Sequence, residues 1–461
     1  MELQVTFPIG TTKYMAIYEH IKQLILQQQL KAHSRMSSKR ELANQLNVSI
    51  FTVQEAYAQL LSEGYLYSTE RKGYFVGEIE VPFQEEAVLQ KEEFLPTIKE
   101  ESLNFRNGQV DPTEFPYKVW SRLYQKFLAP AHVANGSWQG EPELRNEIAN
   151  YLRQSRGLHC HAKQIFVFSG TQQQLSSLCQ FLLPSKIGME EPGFVRANAV
   201  FHQLNIPVLP LRLDFEGCTV PKQPVTLLYT TPAHQYPLGT VMSINRRLEL
   251  LNWAKASSSY IVEDDYDSEF RYRGASIPTL ANLDALNQVI YFGSFSKTLL
   301  PSIRISYLVL PLSLVKEYEA FNALQKPTVS KIDQLVVAEF IKTGGYEKHI
   351  AKMRTLYRSK RKCLIEAIDE FLGEDFSVRG DEAGLHIIVQ LPAYLTEREA
   401  IARADSLCIE VDSVSHMYQE TKSTDRVIIG YGAPTIGGGS DYRRNSEGHS
   451  IACIGLEKSL S

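Results

Sequence analysis

Residues 293–311 read GSFSKTLLPSIRISYLVLP, and the position of one lysine in them decides how the rest of the chain is understood. The preceding run Gln288-Val-Ile-Tyr-Phe292 is apolar and strand-like, so Gly293 opens a sharp turn at a strand end. Lys297 lies on that turn, with Ser294 and Ser296 before it and Arg304 seven residues later. The set offers a Schiff-base amine beside two hydroxyls and a guanidinium suited to phosphate. A surface lysine would account for Lys297 taken alone, so its companions must be sought elsewhere in the chain.

They are found at other strand ends. From Leu103 onward, apolar runs such as Ile165-Phe-Val-Phe168, Val225-Thr-Leu-Leu-Tyr229, Tyr260-Ile-Val262 and Val289-Ile-Tyr-Phe292 alternate with helical stretches such as 142–153 and 245–255. This alternation predicts an α/β domain with a mostly parallel central sheet, whose ligands gather at the carboxyl ends of the strands. Gly170, Thr171 and Gln172 follow one predicted strand and open a helix, where backbone N–H groups and hydroxyls can hold a phosphate. Glu263-Asp-Asp-Tyr266 ends another. Asp264 and Tyr266, two apart on an extended segment, face the same side, where a carboxylate can pair with a protonated ring nitrogen and a phenol with a ring hydroxyl. An ordinary glycine turn or an acidic loop explains each part separately. All of them together, in this order, point to pyridoxal phosphate (PLP) held by Lys297.

The first 77 residues have a different character. Residues 13–30 carry Tyr14, Ile17, Tyr18, Ile21, Leu24 and Ile25 as one amphipathic stripe, which predicts a helix. Ser38, with Glu41 three positions later, caps a short second helix, and Asn47-Val-Ser49 turns into a third whose apolar positions are 53, 56, 57, 60 and 61. Residues 64–67 and 73–76 then alternate about the basic tip Arg71-Lys72. Helix, turn, helix and a two-stranded wing form a DNA-docking arrangement, with Lys39, Arg40, Ser49, Thr52 and Lys72 as the candidate contacts; a small structural helical cap is the plainer alternative.

Between these regions, residues 78–102 form a predicted acidic linker, with eight glutamates, two lysines and two prolines in 78–101. The expected organisation is a DNA-binding domain over 1–77, the linker, and a cofactor domain over 103–461. The formal net charge of −4 shows that the whole molecule is no nucleic-acid sponge, and residues 1–77 hold only eight Lys/Arg against six Asp/Glu. Six cysteines lack C-x-x-C spacing, which argues against a structural zinc site or a disulfide framework. Without a signal-peptide pattern or a run of eighteen apolar residues, the expected location is cytoplasmic and away from membranes.

Ser38-Lys-Arg-Glu-Leu-Ala43, Thr52-Val-x-x-Ala-Tyr57 and Leu60-x-x-Glu-Gly-Tyr-Leu66 resemble the winged helix-turn-helix of GntR-type bacterial regulators. Residues 103–435 resemble the fold-type-I PLP enzymes of the aspartate aminotransferase group. The combination, with Thr231-Pro-Ala-His-Gln-Tyr-Pro-Leu-Gly239 and Glu263-Asp-Asp-Tyr-Asp-Ser-Glu-Phe-Arg271, resembles the MocR subgroup of GntR-type regulators, most closely its GABA-responsive members. The resemblance implies that Asp264 holds the pyridine nitrogen, Tyr266 the ring oxygen, Lys297 an internal aldimine, and Gly170-Thr-Gln, the serines and Arg304 the phosphate. It also implies that Phe194 lies against the cofactor and that Arg196 and Arg426 take a ligand carboxylate.

Several positions depart from the family pattern. Ile50 stands where the recognition helix usually has an arginine. No asparagine of the enzymes' Asn-Pro-x-Asn-Pro-Thr-Gly is matched, which leaves His234 and Gln235 to approach the ring oxygen. The stretch from Pro434 to Asn445 is rich in glycine where a closing helix is usual. The implied function is a PLP-dependent transcriptional regulator that binds a double-stranded DNA operator as a homodimer, open to an exchange of DNA domains between chains. A small amino-acid or amine effector, GABA-like, would be sensed by external aldimine formation. The alternative is a genuine aminotransferase with an accessory DNA-binding domain, since nothing in the sequence disables catalysis by Lys297.

Overall fold

The computed structural model describes residues 5–79 and 103–434, apart from positions 9, 133, 275–276, 286, 421–422 and 424. The acidic joint beyond residue 79 and the glycine-rich stretch beyond residue 434 lie outside the described residues. The chain divides into two compact units, Met1–Thr97 and Ile98–Ser461.

In the first unit, helix α1 (Lys13–Leu26) is followed by α2 (Lys39–Leu46), α3 (Ile50–Ser62) and a hairpin of strands β1 (Leu66–Thr69) and β2 (Gly73–Val76). The first helix stops four residues short of the expectation because Gln28 takes a left-handed conformation, φ 57°. Ser38 caps α2 as its sequence predicts: its hydroxyl accepts from Glu41 N at 3.2 Å, and the Glu41 carboxylate accepts from Ser38 N at 2.8 Å. Asn47, left-handed at φ 52°, ends α2 and turns the chain into α3. Ile17, Ile21, Leu42, Val53, Tyr57 and Leu60 close a core of their own. Tyr57 ties helix to wing, donating to the Ser37 carbonyl at 2.9 Å while its ring meets the Tyr74 ring edge-on, centroids 5.1 Å apart.

The second unit begins with β3 (Leu103–Asn104), α4 (Tyr117–Phe127) and α5 (Pro142–Arg156). There follow β4 (Ile165–Phe168), α6 (Thr171–Leu182), β5 (Ile187–Glu191), α7 (Val195–Gln203), β6 (Val208–Asp214), β7 (Gly217–Cys218), β8 (Leu227–Thr230), α8 (Ile244–Ser257) and β9 (Tyr260–Asp265). Then come α9 (Leu280–Leu283), β10 (Val289–Ser294), β11 (Ser306–Val309), α10 (Leu312–Asn322), α11 (Lys331–Lys342) and the long α12 (Gly345–Phe371). A smaller part closes the unit with β12 (Ser377–Arg379), β13 (His386–Gln390), α13 (Glu397–Ser406), β14 (Ile409–Glu410), β15 (Asp412–Ser413) and β16 (Arg426–Gly430).

The main sheet has the order β4-β11-β10-β9-β8-β5-β6-β7. Its pairs from β10 through β9, β8 and β5 to β6 are parallel, as expected of apolar runs buried on both faces. Strand β11 runs antiparallel between β10 and β4. It therefore returns Arg304, just before its start, to the edge where β4, β8, β9 and β10 all end. The smaller antiparallel sheet is β12-β13-β16-β15, and β14 pairs with β3.

Candidate functional site

The carboxyl edge of the main sheet opens into a cavity of about 310 Å³. Asp264, Tyr266, Ser294, Ser296, Lys297, Arg304, Thr171, Gln172, Phe194 and Arg196 all line it, and Gly170 adjoins it at the start of α6. Period-two alternation aims one acid of the Glu263-Asp-Asp265 run into the cavity. Glu263 instead accepts from the backbone N–H groups of Leu280 and Ala281, and Asp265 binds Tyr291 Oη at 2.7 Å and Arg156 at 2.7 Å. Asp264 faces the cavity with the Tyr229 hydroxyl donating to it. Burial raises its pKa to about 7, despite the opposing bond from Tyr229. A carboxylate held this way is the complement of a cationic ring N–H.

Lys297 is half-buried, its amine opening onto the cavity, and the protein around it lowers its pKa to about 8. A Cβ built on Gly108 would come within 2.7 Å of the lysine Nζ, so the 107–109 segment approaches the amine through a residue without a side chain. Gly170 plays a similar part on the opposite wall. Its φ of 97° is left-handed, and an added Cβ would overlap the Arg304 guanidinium. The Arg304 guanidinium packed against Gly170, with Thr171, Ser294 and Ser296 on the same lining, supplies donors suited to a phosphate dianion. Donors suited to phosphate, a carboxylate suited to a ring nitrogen and an amine, all on one cavity, match the chemistry of PLP.

Tyr266 is oriented from behind. Its hydroxyl lies 2.9 Å from His234 Nδ1, and that nitrogen also lies 3.0 Å from the Asp267 carboxylate. Asp267 can only accept, so Nδ1 carries the hydrogen and Tyr266 Oη accepts from it as well. The phenolic hydrogen of Tyr266 is then left to point into the cavity.

Three of the residues singled out in the sequence lie apart from the cavity lining. His234 and Gln235 do not line the cavity: His234 is turned to Asp267 and Tyr266, and Gln235 donates to the Pro192 carbonyl at 3.0 Å. The wall of that loop is formed by Thr231 and Tyr236, whose ring meets Phe194 edge-on at 5.6 Å. Arg426 is also absent from the lining. Its guanidinium is engaged by Gln390 Oε1 at 2.9 Å and Tyr418 Oη at 3.4 Å. Sequence reading missed Asn107, Gly108, Gln109 and Tyr229. Asn107-Gly108 is a turn signal, but nothing in it announces that it will meet Tyr236 Oη at 3.2 Å from Asn107 Nδ2, more than a hundred residues away.

In the first unit, Ser49 caps α3 by accepting from Thr52 N at 3.1 Å, so Ser49 and Thr52 both sit at the start of that helix. Lys39 and Arg40 open α2, and Arg71 and Lys72 form the tip of the wing. Arg40, Ser49 and Lys72 are exposed, and Lys39 and Thr52 are half-buried.

Residues 13–76 match the family model "Bacterial regulatory proteins, gntR family", and residues 127–420 match "Aminotransferase class I and II". The chain is 40% identical to the uncharacterized HTH-type transcriptional regulator YdeL of Bacillus subtilis, over 91% of this chain and 92% of that protein. It is 29% identical to the probable rhizopine catabolism regulatory protein MocR of Rhizobium meliloti, over 90% and 89% of the two chains. Among solved structures, LysN, the alpha-aminoadipate aminotransferase of Thermus thermophilus in complex with N-(5'-phosphopyridoxyl)-L-leucine, superposes with a TM-score of 0.68. That match covers 78% of this chain and 92% of LysN at 22% identity, a likeness of fold. A winged helix-turn-helix and a fold-type-I aminotransferase unit thus share one polypeptide, and the chain belongs to the MocR subgroup of the GntR-type transcriptional regulators.

Proposed function

We propose that this protein is a PLP-dependent transcriptional regulator that senses a small amino acid through its aminotransferase-like unit and binds an operator through its winged helix-turn-helix. The observation that carries the reading is the convergence of Lys297, Asp264 and Arg304 on one cavity in a chain whose other unit is a helix-turn-helix. PLP, when bound, supplies an aldehyde that condenses reversibly with primary amines and a ring that withdraws electrons. Arg304, Gly170, Thr171, Gln172, Ser294 and Ser296 would hold its phosphate, Asp264 its ring nitrogen, and Tyr266 its ring oxygen, with Phe194 against the ring. Lys297 would supply the amine that holds the cofactor and that an effector amine would replace. A pKa near 8 keeps a useful fraction of it neutral and nucleophilic at neutral pH.

Arg196, exposed at the cavity, suits the carboxylate of a GABA-like effector. Arg426 could join it only by leaving Gln390 and Tyr418, a rearrangement of the kind a ligand-driven switch requires. Lys39, Arg40, Ser49, Thr52 and Lys72 supply the operator contacts. A homodimer would present two readers to two half-sites.

The test is an absorbance titration of the PLP-loaded protein with GABA, other amino acids and 2-oxo acids, with product analysis on the same samples. A spectral change that persists without oxo-acid formation supports the sensor. A change that decays with turnover would make the protein an aminotransferase first, a reading the nucleophilic Lys297 also accommodates.

A further inference from the structure

The first two side chains of α3 are apolar and face solvent: Ile50 is 47% exposed and Phe51 68% exposed. They take no part in the core of their unit, which α3 serves through Val53, Ala56, Tyr57 and Leu60. Two large apolar groups side by side at a helix start are costly in water unless something covers them. Their surroundings identify the cover. The stretch 49–62 contains no lysine or arginine, whereas Lys39 and Arg40 on α2 and Arg71 and Lys72 on the wing flank it with cations. The groups that bind phosphate and the groups that meet the bases are therefore separate, and the latter are apolar. The major groove offers one apolar recognition group, the 5-methyl of thymine. Gln54, exposed and one turn further along the face of Ile50 and Phe51, carries a carboxamide suited to the adenine edge.

We infer that Ile50 and Phe51 read thymine 5-methyl groups, making them the specificity-determining residues of an operator whose half-site centre is rich in A·T pairs. The inference rests on the DNA-binding reading above and adds the base chemistry that α3 selects. It accounts for Ile50 in place of an arginine as a change of reading, from guanine hydrogen bonds to methyl contacts.

The experiment uses the full-length, PLP-loaded protein and a pool of random duplexes, from which bound sequences are recovered. The recovered duplex is then remade with deoxyuridine at single thymine positions. Wild-type protein is expected to recover thymine-containing half-sites and to lose about fourfold in affinity per contacted methyl removed. Ile50→Ala combined with Phe51→Ala should bind the thymine and uracil duplexes equally. Both side chains are exposed, so the double variant should keep its fold, and an unchanged cofactor band will report the state of the other unit. Ile50→Arg should shift the recovered sequences toward guanine. Equal wild-type affinity for thymine and uracil duplexes, with a sequence nonetheless recovered, overturns the methyl reading alone. Recovery of no sequence overturns the DNA-binding reading and this inference with it.

Discussion

The lowered pKa of Lys297 makes a quantitative prediction about how the protein takes up its cofactor. The amine that attacks an aldehyde must be neutral, and burial brings the Lys297 pKa to about 8, against the lysine reference of 10.5. At pH 7 that leaves about 9% of the amine neutral, against roughly 0.03% for a lysine at the reference value, an advantage of roughly 300-fold in reactive species. The sign follows directly. Below pH 8 the charged form dominates, so the rate of covalent loading should fall about tenfold for each pH unit removed. Above pH 8 the rate should level off. The assay mixes cofactor-free protein with PLP in a stopped-flow spectrometer between pH 6 and 10 and follows growth of the Schiff-base band, with Lys297→Ala as the control that forms none. A rate still climbing steeply between pH 9 and 10 would show an ordinary exposed lysine and refute the enclosure described for Lys297.

Three other perturbations probe the scaffold around it. Gly170→Ala places a Cβ on the Arg304 guanidinium at a left-handed position, so PLP retention in equilibrium dialysis should weaken by at least tenfold; unchanged retention would remove the phosphate cradle from this wall. His234→Phe deletes the hydrogen bond that turns the Tyr266 hydroxyl toward the cavity, and a loss of about 1 kcal/mol in cofactor affinity is expected, with no loss if the tyrosine is held by packing alone. Lys360 and Asp111 form a buried ion pair at 2.6 Å, and Lys360 also donates to the Gly432 carbonyl at 3.0 Å. Lys360→Met leaves Asp111 buried without its cation and should destabilise the larger unit by about 3–5 kcal/mol in thermal or urea unfolding. A shift below about 1 kcal/mol would show that water replaces the lysine.

Local signals in the sequence were strong wherever local physics sets the structure. The capping pair Ser38 and Glu41, the stripe through Val53 and Leu60, and the apolar runs ending at Phe168, Val262 and Phe292 describe elements that form from neighbouring residues, two of the strands continuing to Asp265 and Ser294. The same holds for the side chains at strand ends. A strand fixes which face Asp264 presents, and a parallel sheet collects its carboxyl ends at one edge, so the sequence could place Asp264, Lys297 and Gly170 at the same edge.

Other features were decided by the tertiary structure, because they depend on contacts between distant parts of the chain. The antiparallel return of β11 sets Arg304 against Gly170, a meeting across 134 residues that no periodicity encodes. His234, read as a group that approaches the ring oxygen, instead finds the Asp267 carboxylate and supports Tyr266 from behind. Arg426, assigned to a ligand, is drawn to Gln390 and Tyr418 by the pairing of β13 with β16 and the loop before it. Asn107 and Gly108 enter the site only because the segment after β3 passes over the lysine. The sequence determined which residue types are available at the strand ends and on which kinds of element they lie, since those follow from residue type and period. The three-dimensional packing alone decided which of the polar side chains reach the cavity and which are spent holding the others in place, since a hydrogen bond forms with whatever partner the fold brings within about three ångströms.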